Sequence, residues 1–119
     1  MNAEILDRVR STKIVATVTN QSAKQMGLKK GRPAVALVKS SWIILSTDKA
    51  VSTSARNKLA GTVEKITQGK VNTEIQLNLG EEKNLSCILT NESVKSLGLK
   101  KQLKAYALFK ASSVILMVG

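Results

Sequence analysis

The sequence predicts an all-β fold made of two small, related barrels, each carrying one short helix. Three observations lead there. Short runs rich in β-branched residues and flanked by turn formers recur along the whole chain. A single helical turn, ending in glycine, interrupts them at the same place in each half. Finally, Thr19 to Leu45 returns without a gap as Thr90 to Leu116, with 15 of 27 aligned positions identical, so one structural unit occurs twice.

In chain order, strands are expected at 13–19, 34–38 and 42–45 in the first copy. In the second they are expected at 61–67, 73–79, 85–89, 105–109 and 114–118. The helical turns are QSAKQMGL and ESVKSLGL; Thr19 and Thr90 stand before them as N-caps, and Gly27 and Gly98 follow as C-caps. About five short strands and one helix per unit fit a closed barrel of the oligonucleotide-binding type, because closure protects edges that so small a unit cannot cover otherwise.

The repeat is lopsided. Extended backward with one residue of slack, Asn2, Glu4 and Ile5 match Asn72, Glu74 and Ile75, and the match stops at Met1. The second copy has a further segment, SARNKLAGTVEKITQGK from Ser54 to Lys70, with no counterpart in the first. The expected organisation is a first unit over 1–48, incomplete at its N-terminus, and a complete second unit over 49–119, with a polar linker near 46–53. A barrel lacking its opening strand exposes two edges. The vacancy is expected to be filled by a strand from another chain or by residues outside this sequence, and Met1 in a strand region points to truncation or a misplaced start.

Units this small bury little apolar surface, and the single cysteine, Cys87, forms no disulfide, so a homo-oligomer is expected. Cys87 lies in an alternating apolar run and reads as a buried small hydrophobe. Without histidine, paired carboxylates or a nucleophile beside a base, an enzyme is the least favoured class, and no metal-ligand cluster exists. No stretch is long enough to span a bilayer and no signal peptide is present, so the expectation is a cytoplasmic protein without a membrane partner. The net charge of +11 makes anions the natural ligands. Nucleic acid is the weaker choice among them, since aromatics for base stacking make up only 3% of the chain.

Two sets of residues recur or cluster in a way core packing does not demand. The first is the turn after the penultimate strand of each copy: Lys39, Ser40, Ser41 and Lys110, Ala111, Ser112. A cation, backbone N–H groups and hydroxyls at one turn suit a tetrahedral anion, although a polar hairpin turn is the ordinary use of such residues. The second is Thr53, Ser54, Arg56 and Asn57, rich in donors and without a carboxylate, which reads otherwise as a solvated linker or cap. Thr19 and Thr90 recur as well, and helix capping and ligand contact are both open to them.

These same segments carry a family resemblance. Ser54 to Gly119 resembles the molybdate-binding Mop, or molbindin, module of TOBE type through TSARNKLAGTV, VNTEI, TNESVKSLGL and KASSVIL. Residues 2–45 are similar to the last two-thirds of another such module. The chain as a whole therefore resembles tandem di-Mop proteins and the C-terminal sensor region of molybdate-responsive transcription regulators. The resemblance implies a molybdate or tungstate binder acting in storage or homeostasis, with the anion at subunit interfaces and no catalytic cofactor. It further implies that Ser54, Arg56, Thr53 and Asn57 form one wall, and Thr90, Lys110, Ala111 and Ser112 the other. Thr19, Lys39 and Ser40 match in the first unit, where Ser40 replaces the usual alanine and the SARN wall is missing. Molybdate and tungstate are ionised dianions that need donors only, whereas hydrogen phosphate also wants an acceptor. A detached sensor half of a regulator and a barrel-type nucleic-acid binder remain the alternatives.

Overall fold

The computed structural model describes residues 2–9, 12–80 and 82–118, with side chains from Ile14 onward. The first copy supplies β1 (Asn2–Val9), β2 (Thr12–Thr19), α1 (Asn20–Met26), β3 (Val35–Val38) and β4 (Ile44–Ser46). The second supplies β5 (Asn57–Gln68), β6 (Asn72–Gly80), β7 (Lys83–Thr90), α2 (Asn91–Leu97), β8 (Lys104–Phe109) and β9 (Val114–Met117). Short 3-10 turns at Ser40–Trp42 and Ala111–Ser113 sit between β3 and β4 and between β8 and β9. The architecture is all-β with short helices, as the patterning indicates. Neither α-helix exceeds seven residues, and no helix among the described residues is long and apolar enough to cross a membrane.

Both helices end for the same local reason. Thr19 and Thr90 are extended, and their hydroxyls accept the N–H of Ser22 and Ser93, each at 3.1 Å. Gly27 and Gly98 follow at φ +64° and return their N–H groups to the last turn, a left-handed cap that glycine adopts without steric cost.

The strands join into a five-stranded sheet in the order β4-β8-β5-β6-β7 and two ribbons, β1-β2 and β3-β9. The copies thus exchange their last strands: β4 of the first pairs with β8, and β9 of the second pairs with β3. The two exchanges are equivalent residue for residue, because Ile44 opposite Leu108 mirrors Ile115 opposite Leu37. Strand pairing therefore crosses the linker that separates the sequence repeats.

The core alternates as a half-covered sheet should. On β6, Thr73, Ile75, Leu77 and Leu79 point inward, while Asn72, Glu74 and Asn78 face out. Val63, Ile75, Leu77 and Cys87 are wholly buried together. Burial pushes the Cys87 thiol up to about 12, so it stays protonated and inert at neutral pH. On β8 every residue from Ala105 to Phe109 is buried, since the strand lies between β4 and β5 and is covered on both faces.

Three details depart from the expected strands. β1 extends the backward part of the repeat into a full strand pairing with all of β2. β5 begins at Asn57 rather than Gly61, because pairing with β8 recruits Asn57 and Lys58 despite their weak strand preference. Gly61 lies within it, where a Cβ would come within 3.1–3.3 Å of Leu79, Asn78 and Leu77. Finally, β4 starts at Ile44, since Trp42 belongs to the 3-10 turn.

Candidate functional site

The strand exchange makes residues 35–46 and 106–117 one antiparallel ribbon, with a 3-10 turn in the middle of each side. The two lysine-led turns therefore stand at equivalent places in the two exchanged pairs, the first packed against β7 and the second against β2. In the first, the Trp42 N–H donates to the Lys39 carbonyl, and in the second the Ser113 N–H donates to that of Lys110, both at 2.9 Å, joined there by the Val114 N–H donating to the Ala111 carbonyl. A turn this short leaves its leading N–H groups without internal acceptors. Among the described residues, the N–H groups of Ala111 and Ser112 meet no acceptor. The Ala111 methyl is buried, so this residue can offer a ligand only its backbone.

The start of β5 supplies the opposing wall. Asn57 lies opposite Phe109 in the ladder, which sets the residues just before Asn57 beside Lys110. Thr53, Ser54, Lys110, Ser112 and Ser113 line one open cleft of about 420 Å³, floored by Ala55 and Phe109 and flanked by Trp42 and Ile44. Among the described residues, no aspartate or glutamate lines it. The Thr53 oxygen accepts the Ala55 N–H at 3.2 Å, leaving its hydroxyl proton to point elsewhere. The cleft thus gathers one ammonium and four hydroxyls against an apolar flank, which strengthens electrostatic attraction for an anion.

The remaining candidate residues are placed differently. Asn57 is fully buried; its amide oxygen accepts the Val15 N–H at 2.7 Å and its NH₂ donates to the Val15 carbonyl at 2.8 Å. Both ends are spent on tying β2 to β5, so this side chain locks the two copies together. Arg56 is exposed and lies outside the cleft lining. Thr90 caps α2 and pairs with Asn72, at the Gln68 end of β5, roughly 36 Å along the strand from Asn57 at about 3.3 Å per residue. Within one chain Thr90 and Lys110 do not meet. In the first copy, Lys39 holds its ammonium 5.5 Å from the centre of the Trp42 ring, Ser40 opens the turn, and Thr19 caps α1. No second wall of the SARN kind faces Lys39 and Ser40 among the described residues.

Sequence reasoning missed Trp42, Ile44 and Ser113. A usable signal was available: Trp42 takes the repeat position of Ser113, and a half-exposed indole behind a recurring lysine turn is an unusual expense of apolar surface.

Comparison with known proteins gives the family. A model of the TOBE domain matches residues 3–45 and 53–116. The chain belongs to the TOBE-domain family. It is 42% identical over 118 residues to the molybdenum-pterin-binding protein MopA of Rhodobacter capsulatus, covering 98% of this chain and 44% of that protein. It is 43% identical over 105 residues to the molybdenum transport protein ModE of Azotobacter vinelandii, covering 88% and 39%. This TOBE chain therefore spans less than half the length of these two relatives. Among solved structures, a cytoplasmic molybdate-binding protein, ModG, superposes with a TM-score of 0.94 at 42% identity over 99% of this chain and 85% of its own. MopII of Clostridium pasteurianum matches 56% of the TOBE chain with all of its length, at 31% identity and a TM-score of 0.53.

Proposed function

We propose that this TOBE chain binds molybdate or tungstate in the cytoplasm for storage or homeostasis, as a binding protein without catalytic activity. The observation that carries the reading is the cleft in which Thr53 and Ser54 meet Lys110 and Ser112, with no carboxylate among its described lining residues. A tetrahedral dianion offers acceptors on every oxygen, and a wall of donors satisfies it without the acceptor that a protonated phosphate would need. The Ala111 and Ser112 N–H groups add two donors at the same turn. Likeness to ModG over nearly the whole chain supports the same ligand. Arg56, from its exposed place beside the cleft, approaches the anion from the rim, while Asn57 holds the wall it stands on.

The site is completed between subunits. Thr90 reaches a Lys110 cleft only from a second chain, because both lie far apart on the same sheet. Residues 1–48 and 49–119 act as two Mop-like modules whose exchanged strands set both lysine turns at equivalent places. Molybdate and tungstate, nearly equal in size, compete here on similar terms.

The test is scanning calorimetry of protein stripped of bound anion. Ligand at a hundred times its dissociation constant stabilises by about 2.7 kcal/mol, raising the melting temperature by on the order of ten degrees. No upward shift with molybdate, or an equal shift with phosphate, sinks the reading. A sensor role is the second reading, favoured by ModE relatives of which this chain covers about two fifths. A DNA-binding domain in frame with the same gene decides for it.

A further inference from the structure

Among the described aromatic side chains, Tyr106 and Phe109 are buried and Trp42 alone stands half in solvent. The turn that carries it does not require an indole. Its repeat counterpart is Ser113, and the two turns lead into β4 and β9 through residues of the same conformation, Ile43 and Val114, both at φ −87° and ψ 130°. The core does not require it either, since Trp42 belongs neither to the buried cluster nor to the half-buried side chains packed on it. The neighbouring Ile44 is a different case: its counterpart Ile115 is exposed to a similar degree, so that exposure belongs to the shared architecture.

A lone apolar residue on a surface is ordinary, and what sets Trp42 apart is its place. It forms one flank of the cleft that holds Thr53, Ser54, Lys110 and Ser112. Those donors all come from the second copy, whereas Trp42 and Ile44 reach the cleft from the first, through the exchanged strand. The cleft is also larger than a four-oxygen anion, because its volume of about 420 Å³ has room for about fourteen waters at about 30 Å³ each. An anion seated on the donors therefore keeps a side that meets either water or the indole. Lys39 stands over the same ring at 5.5 Å, a contact that restrains the indole from swinging away.

We propose that Trp42 sets the anion selectivity of this cleft: its indole takes the place of water on one side of the bound ion and so favours the larger, more weakly hydrated dianions, molybdate and tungstate, over sulfate. This role rests on the oxyanion reading above. At equal charge, hydration weakens as ionic radius grows, so exchanging water for an apolar ring costs sulfate more. The Lys110 ammonium acts in the opposite sense, since the smaller ion comes nearer to it. Desolvation scales with the square of the ionic charge and inversely with the ionic radius, whereas that attraction scales with the first power of the charge and with the longer distance between centres. Desolvation is therefore the stronger discriminator wherever the ring covers the ion.

The test is calorimetric titration of molybdate into the parent chain and its variants, stripped of bound anion and at one ionic strength, with sulfate read by competition against molybdate. Trp42→Ser, which puts the repeat's own residue at this turn, should lower the molybdate-to-sulfate affinity ratio about tenfold, a small part of an ion's full desolvation cost. Trp42→Phe keeps an apolar ring there and should hold the ratio within about threefold of the parent. Trp42→Gln is measured alongside, with the same fall expected as for serine, and decides the matter where the serine variant melts far below the parent. An indole with a merely structural role would weaken both anions alike. A ratio unchanged in Trp42→Ser and Trp42→Gln, or one that falls as far in Trp42→Phe, therefore overturns the role of Trp42. A parent chain that binds no molybdate overturns the oxyanion reading and this role together, whereas a parent that binds it, with an unmoved ratio in the variants, overturns the role alone.

Discussion

The two halves of this molecule are built on one repeated sequence, yet they differ wherever β5 reaches. Leu108 is 4% exposed and Tyr106 8%, whereas Leu37 and Val35, their counterparts on β3, are 43% and 55% exposed. Ile44 and Ile115, equivalent residues on strands that no β5 touches, are alike at 61% and 55%. The contrast is therefore local to one strand and does not express a general looseness of the first half. Chemistry follows the same division. Lys110 faces hydroxyls brought by the segment leading into β5, while Lys39 lies over the Trp42 ring, where a cation–π contact at an exposed place contributes only about 0.5–1 kcal/mol.

Breaking the junction should have the largest effect. Asn57→Ala removes two buried hydrogen bonds and strands the Val15 N–H and carbonyl, costing about 3 kcal/mol at one to three per unsatisfied group. Urea unfolding should show the loss, and a cost under about 1 kcal/mol would mean that water or β1 takes over the Val15 backbone. The next effect is on ligand, not on folding. Lys110→Ala should weaken molybdate binding by about tenfold to a hundredfold, the range for a charge-assisted bond, with little change in stability. Lys39→Ala should leave affinity within about twofold, because its turn lacks the opposing wall. Isothermal titration of both variants checks the pair, and equal losses would show the two turns to be one site.

Much of this was legible in the sequence. Alternation and the glycine-capped helical turns gave the strands and helices, since both depend on local side-chain and backbone preference. The recurrence of Lys39 and Lys110 marked the turns that the fold sets at equivalent places in the two exchanged pairs. The strand exchange was not legible, because a β4 that pairs with β8 has the same alternation as one that pairs within its own copy. Asn57 misled for a related reason. An amide beside arginine and serine reads as a donor, and only its opposition to Val15, 42 residues away, shows that both its ends are occupied. Trp42 entered the cleft through that same exchange.

A smaller effect should sharpen the comparison at the far end of β5. Asn91 donates to the Gly69 and Lys70 carbonyls at 3.0 and 3.2 Å and accepts from the Thr73 hydroxyl, fastening the β5–β6 turn to α2. Asn20, its counterpart before α1, is exposed. Asn91→Ala should cost about 1–2 kcal/mol and Asn20→Ala less than about 0.5, read as midpoints in urea. Equal costs would show that the latch contributes nothing to the difference between the halves.

The smallest effect lies where the halves agree. Gly27 and Gly98 hold the same left-handed φ of +64°, and an alanine there carries a backbone strain of about 1 kcal/mol. A methyl at Gly98 meets open space, so Gly98→Ala should show that strain alone. At Gly27 the methyl would fall 2.5 Å from the Arg32 guanidinium, which donates to the Gly27 carbonyl at 3.1 Å. The flexible end of that side chain can swing aside, so Gly27→Ala should cost only a few tenths of a kcal/mol more, the value of an exposed contact. Thermal melts of the two variants should therefore nearly coincide. A Gly27→Ala loss several times larger would show that the Arg32 contact, and not the cap shared by both halves, holds the end of α1.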